Sequence, residues 1–290
     1  MKNHNDNFIM LPTVDYCFKE LMKNPKVRQG FIAALLNKRP EEIAKTTLLP
    51  TIIEGETVDG KASILDVRVL LADGTQMDME MQVEYFEYWD RRVLFYLGKM
   101  FVGQLEKGDS YEKLKKCIHV SILNFNCFPD EKCYRRIHLC DTETGQVYTD
   151  ILELQILELP KLPRDVKSGE NVITWMKFFS GKSREEFVDM AKTNEYLDEA
   201  YDTLVHLSAD EKKRIAYEAR EKALRDYNSQ MGSAERRGER RGREEGREEG
   251  REEGRKQAKQ IFLLDREGKS HEEIAEICGV SVDVVREMLE

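Results

Sequence analysis

The amino-acid sequence predicts an α/β (α+β) fold in which helices flank a mixed central sheet and a helical extension follows at the C-terminus. Three patterns support this prediction. Apolar residues recur at helical spacing between residues 13 and 37, the period changes to two from Thr51 onward, and helical spacing returns between residues 90 and 104. Further strand-like segments follow, so helices and strands are expected to mix within one core.

The first part of the chain is predicted to be helical. Asn24-Pro25 separates two short helices between residues 13 and 37, because the residue before a proline disfavours the helical conformation and proline itself suits a first turn. Pro40-Glu41-Glu42 indicates the first turn of another helix, since acidic side chains complement the helix dipole there. A longer helix is predicted from Asp90 to Gln104, where the apolar positions follow helical spacing.

Six segments are predicted to be strands from their alternating or short apolar patterns. They are 51–54, 63–71, 76–85, 117–125, 134–139 and 147–159. Asp73-Gly74, between the second and third segments, is a strong hairpin signal because these residues tolerate the positive φ of tight turns. The mixed core is expected to end near Pro160–Pro163.

Composition restricts the class of protein. The 290 residues carry 46 Lys and Arg against 55 Asp and Glu, which gives a net charge of −9. This acidity argues against a generally basic nucleic-acid coat, although it is compatible with a local basic face. No apolar run approaches the ~18 residues of a membrane span, and the N-terminal residues have no apolar segment typical of a secretory signal. A cytoplasmic protein with no membrane partner is expected.

The six cysteines are predicted to be reduced thiols. They lie at positions 17, 117, 127, 133, 140 and 278, with no CxxC pair and too wide a scatter for a compact disulfide framework. His119, Cys127, Cys133, His138 and Cys140 are an alternative zinc set, but their spacing fits no standard finger pattern. Ordinary buried thiols are the favoured interpretation, in agreement with a cytoplasmic location.

The predicted hairpin 65–82 carries the residues that indicate chemistry. Asp66, Asp78, Glu80 and Gln82 have the same parity and therefore share a face of regular strands. A hairpin that turns about Asp73 places Asp66 opposite Glu80, with Cβ atoms about 5 Å apart. Both carboxylates can then reach one hard cation such as Mg²⁺. This register needs a bulge or a three-residue turn. The alternative is that the face is solvated and the acidic residues are ordinary surface charges.

Asp66, followed by a hairpin and then Glu80-Met81-Gln82, resembles the active-site pattern of the PD-(D/E)XK nuclease superfamily, in which Lys usually stands where this chain has Gln82. A wider set of residues resembles the recombination-promoting nuclease and transposase (Rpn) family within that superfamily, whose members commonly have Gln at that position. The matching features are Asp15-Tyr16-Cys17-Phe18-Lys19, Lys61, Leu65-Asp66-Val67, Asp73-Gly74, Glu80-Met81-Gln82, Arg92, Tyr96 and the segment 108–125.

The resemblance covers about residues 13–160 and implies a restriction-endonuclease-like core over residues 1–163 that hydrolyses DNA phosphodiester bonds. Asp66 and Glu80 would hold Mg²⁺, with Mn²⁺ as a substitute, and Gln82 would be the third catalytic residue. Gln82 cannot supply the positive charge of a lysine and can only orient water through hydrogen bonds. The substrate-binding residues implied are Arg92, Tyr96, Asp15 and Lys19. Their alternatives are a solvated arginine, a tyrosine at the core edge and an ordinary i,i+4 ion pair.

The rest of the chain divides into three predicted segments. Residues 164–232 form a helical extension, and residues 233–258, rich in Gly, Arg and Glu, form a linker or a marginal helix. Residues 259–290 resemble a helix-turn-helix, because Ser270 and Glu273 fit a capping box, Gly279 marks a turn and Ser281 can cap a second helix.

Three hypotheses follow from these patterns. The first is a Mg²⁺-dependent DNA endonuclease. The second is a catalytically silent DNA- or protein-interaction module that uses the helix-turn-helix and the charged tail, although the second helix offers only Asp283, Arg286 and Glu287 to a groove, so helix packing without DNA contact is equally open. The third is a chaperone-like or structural helical adaptor. A homo-oligomer is compatible with each of them.

Overall fold

The computed structural model describes residues 8–43, 45–53, 63–85, 87–163 and 172–290. It groups the chain into two compact units, Met1–Glu221 and Lys222–Glu290. The helices are α1 (Asp15–Lys23), α2 (Pro25–Leu36), α3 (Trp89–Val102), α4 (Val172–Phe179), α5 (Arg184–Ala191), α6 (Glu195–Ala209), α7 (Glu211–Arg266), α8 (His271–Cys278) and α9 (Val282–Leu289). The strands are β1 (Thr46–Leu49), β2 (Ile52–Ile53), β3 (Ser63–Ile64), β4 (Val67–Leu71), β5 (Gln76–Gln82), β6 (Cys117–Leu123), β7 (Tyr134–Cys140) and β8 (Val147–Glu158).

A six-stranded mixed sheet forms the centre of the first unit, in the order β1-β4-β5-β6-β8-β7. Strands β5, β6 and β8 run parallel, whereas β1, β4 and β7 join antiparallel. Strands β2 and β3 form a separate antiparallel pair. Helices lie on both faces of the large sheet. The predicted mixed α/β fold is therefore confirmed.

The break between α1 and α2 occurs where the sequence predicts it. The Asn24 side chain accepts hydrogen bonds from the backbone N–H groups of Lys26 and Val27, at 2.9 and 3.3 Å, and Pro25 occupies the first helical position. An Asn cap followed by Pro satisfies the free N–H groups of the helix start. Pro40–Glu42, predicted to begin a further helix, forms only one turn of 3₁₀ helix before the chain enters β1.

One strand prediction needs correction, and one strand lies where none was predicted. The segment 63–71 is broken by Leu65 and Asp66, so that β3 and β4 belong to different sheets. Strand β1 was not predicted, because Thr46-Thr47-Leu48-Leu49 has no alternating pattern and lies at the sheet edge, where burial gives little period-two signal. The predicted strand at 51–54 is observed over Ile52–Ile53, and Glu54 lies outside the described residues.

The sheet separates two hydrophobic layers. On one face, Met77, Met79 and Met81 of β5 pack with residues of β6 against α1, α2 and α4–α6, where the aromatic side chains cluster. That aromatic cluster consists of Phe18, Phe31, Trp175, Phe178, Phe179 and Phe187. On the other face, α3 packs on the sheet through two smaller clusters. The alternating residues of β5, including Asp78 and Glu80, consequently point away from the methionine layer.

The second unit contains a small helical core formed by Ile261, Ile274, Ala275 and Val285. Ser270 and Glu273 form the predicted capping box, and Gly279 ends α8 with a φ of 64°. Residues 233–258, predicted as a linker or a marginal helix, lie within helix α7. The division of the chain into four domains remains a prediction. Over the described residues, no helix combines the length and the apolar character needed to cross a lipid bilayer.

Candidate active site

The β4–β5 hairpin has the three-residue turn that the predicted register requires. Leu71 and Thr75 form the last backbone pair, with the Leu71 N–H 2.9 Å from the Thr75 carbonyl oxygen. Gly74 adopts a φ of 87°, which favours glycine. The observed register pairs Val67 with Met79 and Arg68 with Asp78. Continued by one residue, this register places Asp66 alongside Glu80, although Asp66 lies in a bend just before β4.

Glu80 is held at the centre of β5 by an arginine from α3. Its side chain is nearly buried, and its Oε1 atom accepts a hydrogen bond from Arg92 Nη2. The same nitrogen donates to Gln82 Oε1 at 2.8 Å, and Gln82 Nε2 donates to the backbone oxygen of Glu84 at 2.8 Å. The Gln82 amide is thus engaged at both ends and fixes Arg92 against Glu80.

Tyr96 lies one helical turn beyond Arg92 on α3. The Arg92 guanidinium is 5.6 Å from the centre of the Tyr96 ring, a cation–π distance. Burial raises the pKa of the Tyr96 hydroxyl, partly offset by the charge of Arg92. The structure therefore brings together four of the predicted site residues, namely Glu80, Gln82, Arg92 and Tyr96.

The second carboxylate oxygen of Glu80 has a different environment from the first. Oε2 is buried, has no hydrogen-bond partner among the described residues and lies 4.0 Å from His119 Nε2. Burial raises the pKa of Glu80 to about 7, against the opposing charges of His119 and Arg92 and with added repulsion from Asp66 and Asp78. An unpartnered buried carboxylate oxygen costs free energy unless a proton or a cation meets it.

Sequence reasoning did not assign Asp78 and His119 to the site. Both are fully buried, and His119 Nδ1 lies 2.8 Å from Asp78 Oδ2 in an ionic contact without the alignment of a hydrogen bond. Burial opposes protonation of His119, yet the Asp78 and Glu80 carboxylates raise its pKa overall. Asp78 has the same parity as Asp66 and Glu80, so the sequence predicts that it shares their face. Its contact with His119, however, depends on the parallel pairing of β5 with β6.

Asp66 forms a second set of contacts with the first helix. Lys19 Nζ lies 2.8 Å from Asp66 Oδ1 and 3.6 Å from Asp15 Oδ2. Burial raises the pKa of Asp66, and the charge of Lys19 opposes this rise. Burial disfavours the charged form of Lys19, but Asp66 and Asp15 raise its pKa, so its ammonium group stays charged. Lys19 is thus a cation placed directly on the Asp66 carboxylate.

Arg220 completes this second set from the helical extension. Its Nε atom is 2.8 and 3.0 Å from the two Asp15 oxygens, and its Nη2 atom is 2.8 Å from Asp15 Oδ2. No local pattern links residues so far apart in sequence, so Arg220 could not be predicted. Lys61, one of the residues that carried the resemblance, lies outside the described residues.

The alternative zinc set is not assembled. His119 contacts Asp78, whereas His138 contacts Glu153 at 2.9 Å. Within the described ranges, no group of three or more His, Cys, Asp and Glu side chains is arranged to hold a metal ion. The donors at Asp66 and Glu80 are carboxylate oxygens, and the unpartnered Oε2 of Glu80 is an acceptor of the kind that hard divalent cations prefer. These two residues fit such a cation chemically.

Comparison with known proteins identifies the family. A family model described as PD-(D/E)XK nuclease family transposase matches residues 12–234. The chain belongs to this family. Comparisons with curated proteins and with solved structures gave no match.

Membership of this transposase family supports a nuclease- or transposase-like function on DNA, and nucleases of the PD-(D/E)XK superfamily typically use divalent metal ions. A second family model, sigma-70 region 4, matches residues 255–290 and therefore covers α8 and α9. This similarity also indicates DNA as a partner.

Proposed function

We propose that this transposase-family protein is a Mg²⁺- or Mn²⁺-dependent DNA endonuclease of the recombination-promoting (Rpn) type. Asp66 and Glu80 would hold the metal, and Lys19, Gln82 and Arg92 would position the reacting groups. The single observation that supports this most strongly is Glu80, whose one oxygen is held by Arg92 while the other is buried without a partner. Metal-dependent nicking of supercoiled plasmid that Asp66→Ala abolishes tests the proposal.

Each of these residues has a separate role in the proposed reaction. When bound, the divalent cation polarises the scissile phosphate and lowers the pKa of a water molecule. Arg92 keeps Glu80 in one orientation, and Gln82 keeps Arg92 in place. Lys19 adds a positive charge beside Asp66, on the edge of the site where a phosphate has to be neutralised. In this proposal, Lys19 would supply the positive charge that Gln82 lacks.

Metal affinity is expected to rise with pH up to neutrality. A carboxylate binds a cation in its ionised form, and the pKa of Glu80 is raised to about 7 by burial. Below pH 7, affinity should therefore fall by up to about tenfold per pH unit. Isothermal titration with Mn²⁺ at pH values between about 5.5 and 8.5 measures this dependence of the affinity on pH.

In the metal-free protein, the dependence of stability on pH should have the opposite sign, and it serves as a control. Because the pKa of Glu80 is raised from 4.5 to about 7, the folded protein binds this proton more tightly than the unfolded chain does. The contribution of Glu80 to stability should therefore increase as the pH falls from 7 towards 4.5. A metal affinity that stays constant between pH 6 and pH 8 would contradict the role of Glu80 as a ligand.

Lys19→Met is expected to reduce cleavage by about 100-fold, because removing one preorganised positive donor typically costs 10²- to 10³-fold. Lys19→Arg should retain a larger share of the activity because it keeps the charge. The matched control is Lys23→Met, one turn along α1, where the side chain is 63 % exposed and pairs with Glu20. Single-turnover cleavage rates measure the effect, and equal rates for Lys19→Met and Lys23→Met would disprove this role.

A second candidate function rests on the sigma-70 region 4 similarity at residues 255–290. In this candidate, the protein is a DNA-binding module without catalysis. The charge of the segment gives such a role little support, since residues 255–290 contain eight acidic and six basic residues. Salt-sensitive DNA binding that survives loss of Asp66, together with no cleavage in Mg²⁺ or Mn²⁺, would favour this candidate.

A further inference from the structure

Helix α3 exposes aromatic rings on the side that faces away from the sheet. Tyr88, at the start of the helix, is 54 % exposed and Phe95 is 42 % exposed. Arg91, Phe95 and Lys99 follow at four-residue spacing and share one face of α3, and the Tyr88 ring lies beside Arg91 at the start of that face. Large exposed rings lose contact with water when a partner covers them, and two of them on one face indicate a binding surface.

A positively charged side chain lies over each of these two rings. The Arg91 guanidinium lies 4.8 Å from the centre of the Tyr88 ring, and Lys99 Nζ lies 5.3 Å from the centre of the Phe95 ring. Arg91 is exposed and forms no ion pair with a described residue. We call Tyr88, Arg91, Phe95 and Lys99 the α3 outer face. Along it, rings alternate with positive charges.

The backbone at Tyr88 is unusual. Its φ of 67° and ψ of 22° lie in the left-handed region, which a bulky residue rarely adopts. Such conformations cost free energy and concentrate at functional sites. At this position the conformation places the Tyr88 ring beside Arg91, where the helix begins.

The α3 outer face is continuous with the candidate active site. Arg92 and Tyr96 follow on the adjacent side of the same helix and contact Glu80 and Gln82 of β5. The segment that links β5 to α3 exposes a further ring, Tyr85, which is 62 % exposed and packs edge-on against Phe125 at 5.6 Å. A strand whose phosphate lies at Glu80 would meet Arg92 and Tyr96 before it reaches the α3 outer face.

We propose that the α3 outer face binds unpaired DNA, with bases stacked on Tyr88 and Phe95 and phosphates neutralised by Arg91 and Lys99. This rests on the proposed function and names its substrate class as single-stranded or locally melted DNA. Alternating rings and cations match the alternation of bases and phosphates along a single strand. In a duplex the faces of the bases are covered by their neighbours, so a duplex leaves the exposed rings without a stacking partner.

Fluorescence anisotropy of the full-length protein tests this proposal. The probe is a labelled oligodeoxythymidine of about 30 nucleotides, longer than the ~4–16 nucleotides that a single site occupies. A blunt duplex of equal length is the second probe, and EDTA prevents cleavage. The test variant is Tyr88→Ala combined with Phe95→Ala. The control is Tyr148→Ala, which removes a ring that is 84 % exposed on β8.

The wild-type protein should bind the single strand more tightly than the duplex. The double variant should lose at least about 25-fold in single-strand affinity, since each stacked ring contributes about fivefold or more. Tyr148→Ala should bind as the wild type does, and Tyr88→Phe with Phe95→Tyr should restore binding because it keeps both rings.

Single-strand affinity of the double variant that stays close to the wild-type value overturns the proposal. So does an equal loss in Tyr148→Ala. If sedimentation instead shows that the wild type self-associates and the double variant is monomeric with unchanged DNA binding, the face is a contact between copies of the chain. Ring-dependent binding without any cleavage in Mg²⁺ would leave this inference standing and contradict only the proposed nuclease function.

Discussion

Glu80→Gln is expected to reduce metal-dependent DNA cleavage by at least about 1,000-fold, which corresponds to ~4 kcal/mol of lost transition-state stabilisation. The amide has nearly the same shape as the carboxylate, but it removes the negative charge that would hold the cation. Because burial already disfavours the charged form of Glu80, the variant should unfold at the same temperature as the wild type or at a higher one. Lower activity without lower stability is typical of a functional residue.

The matched control is Glu87→Gln, which makes the same chemical change at an exposed residue just before α3. Its cleavage rate should equal that of the wild type. Cleavage by Glu80→Gln at more than about a tenth of the wild-type rate would contradict a role for Glu80 as a metal ligand.

Glu153→Ala is expected to have the largest effect on stability. Glu153 is fully buried on β8 and accepts hydrogen bonds from Arg136 at 2.9 and 3.0 Å and from His138 at 2.9 Å, while Lys116 lies 2.8 Å away. Removing one partner of a buried ion pair leaves the others unpaired. We expect the free energy of unfolding to fall by about 3 kcal/mol, the lower end of the usual range, because the donors are partly exposed. Urea denaturation measures this change.

The free energy of unfolding measured at acidic pH provides an independent check. Burial works against the ionised form of Glu153, but Arg136, Lys116 and His138 outweigh it and lower its pKa to about 2. Its contribution is therefore present above pH 4.5 and is lost as the pH falls from 4.5 towards 2. Asp150→Ala is the control, since Asp150 is exposed and contacts the same lysine. It should change stability by less than about 0.5 kcal/mol, and a similar loss in both variants would contradict the role of the buried network.

Local patterns predict much of the fold. Periodic patterns place α1 to α3, β5 and β8, and a short apolar run places β6, whose residues are all buried. Strand β1 and the break at Leu65–Asp66 escape prediction. Strand β1 is a short edge strand with little alternation, and the break depends on β3 pairing with β2 instead of extending β4. Local sequence patterns do not predict such pairings between distant strands.

Local patterns also predict only part of the candidate site. Parity predicts that Asp66 and Glu80 share a face, but their register opposite each other required a bulge or a three-residue turn, which the Asp73-Gly74 signal alone does not predict. Helical spacing predicts that Arg92 and Tyr96 share a face. The observed pairs Val67–Met79 and Arg68–Asp78 have this register. The contacts of His119 with Asp78 and of Arg220 with Asp15 join distant segments, so only the tertiary structure reveals them. The roles of Asp66, Glu80 and Gln82 in catalysis remain predictions.

Nicking of supercoiled plasmid DNA, with wild type beside Asp66→Ala, tests the central claim most directly. Each protein is incubated with Mg²⁺, with Mn²⁺ and with EDTA, and circular dichroism confirms that both are folded. We expect the wild type to convert supercoiled to open-circular DNA in either metal and not in EDTA, and we expect Asp66→Ala to leave the plasmid intact throughout. Equal nicking by Asp66→Ala, or nicking that persists in EDTA, would contradict a metal-dependent site built on Asp66.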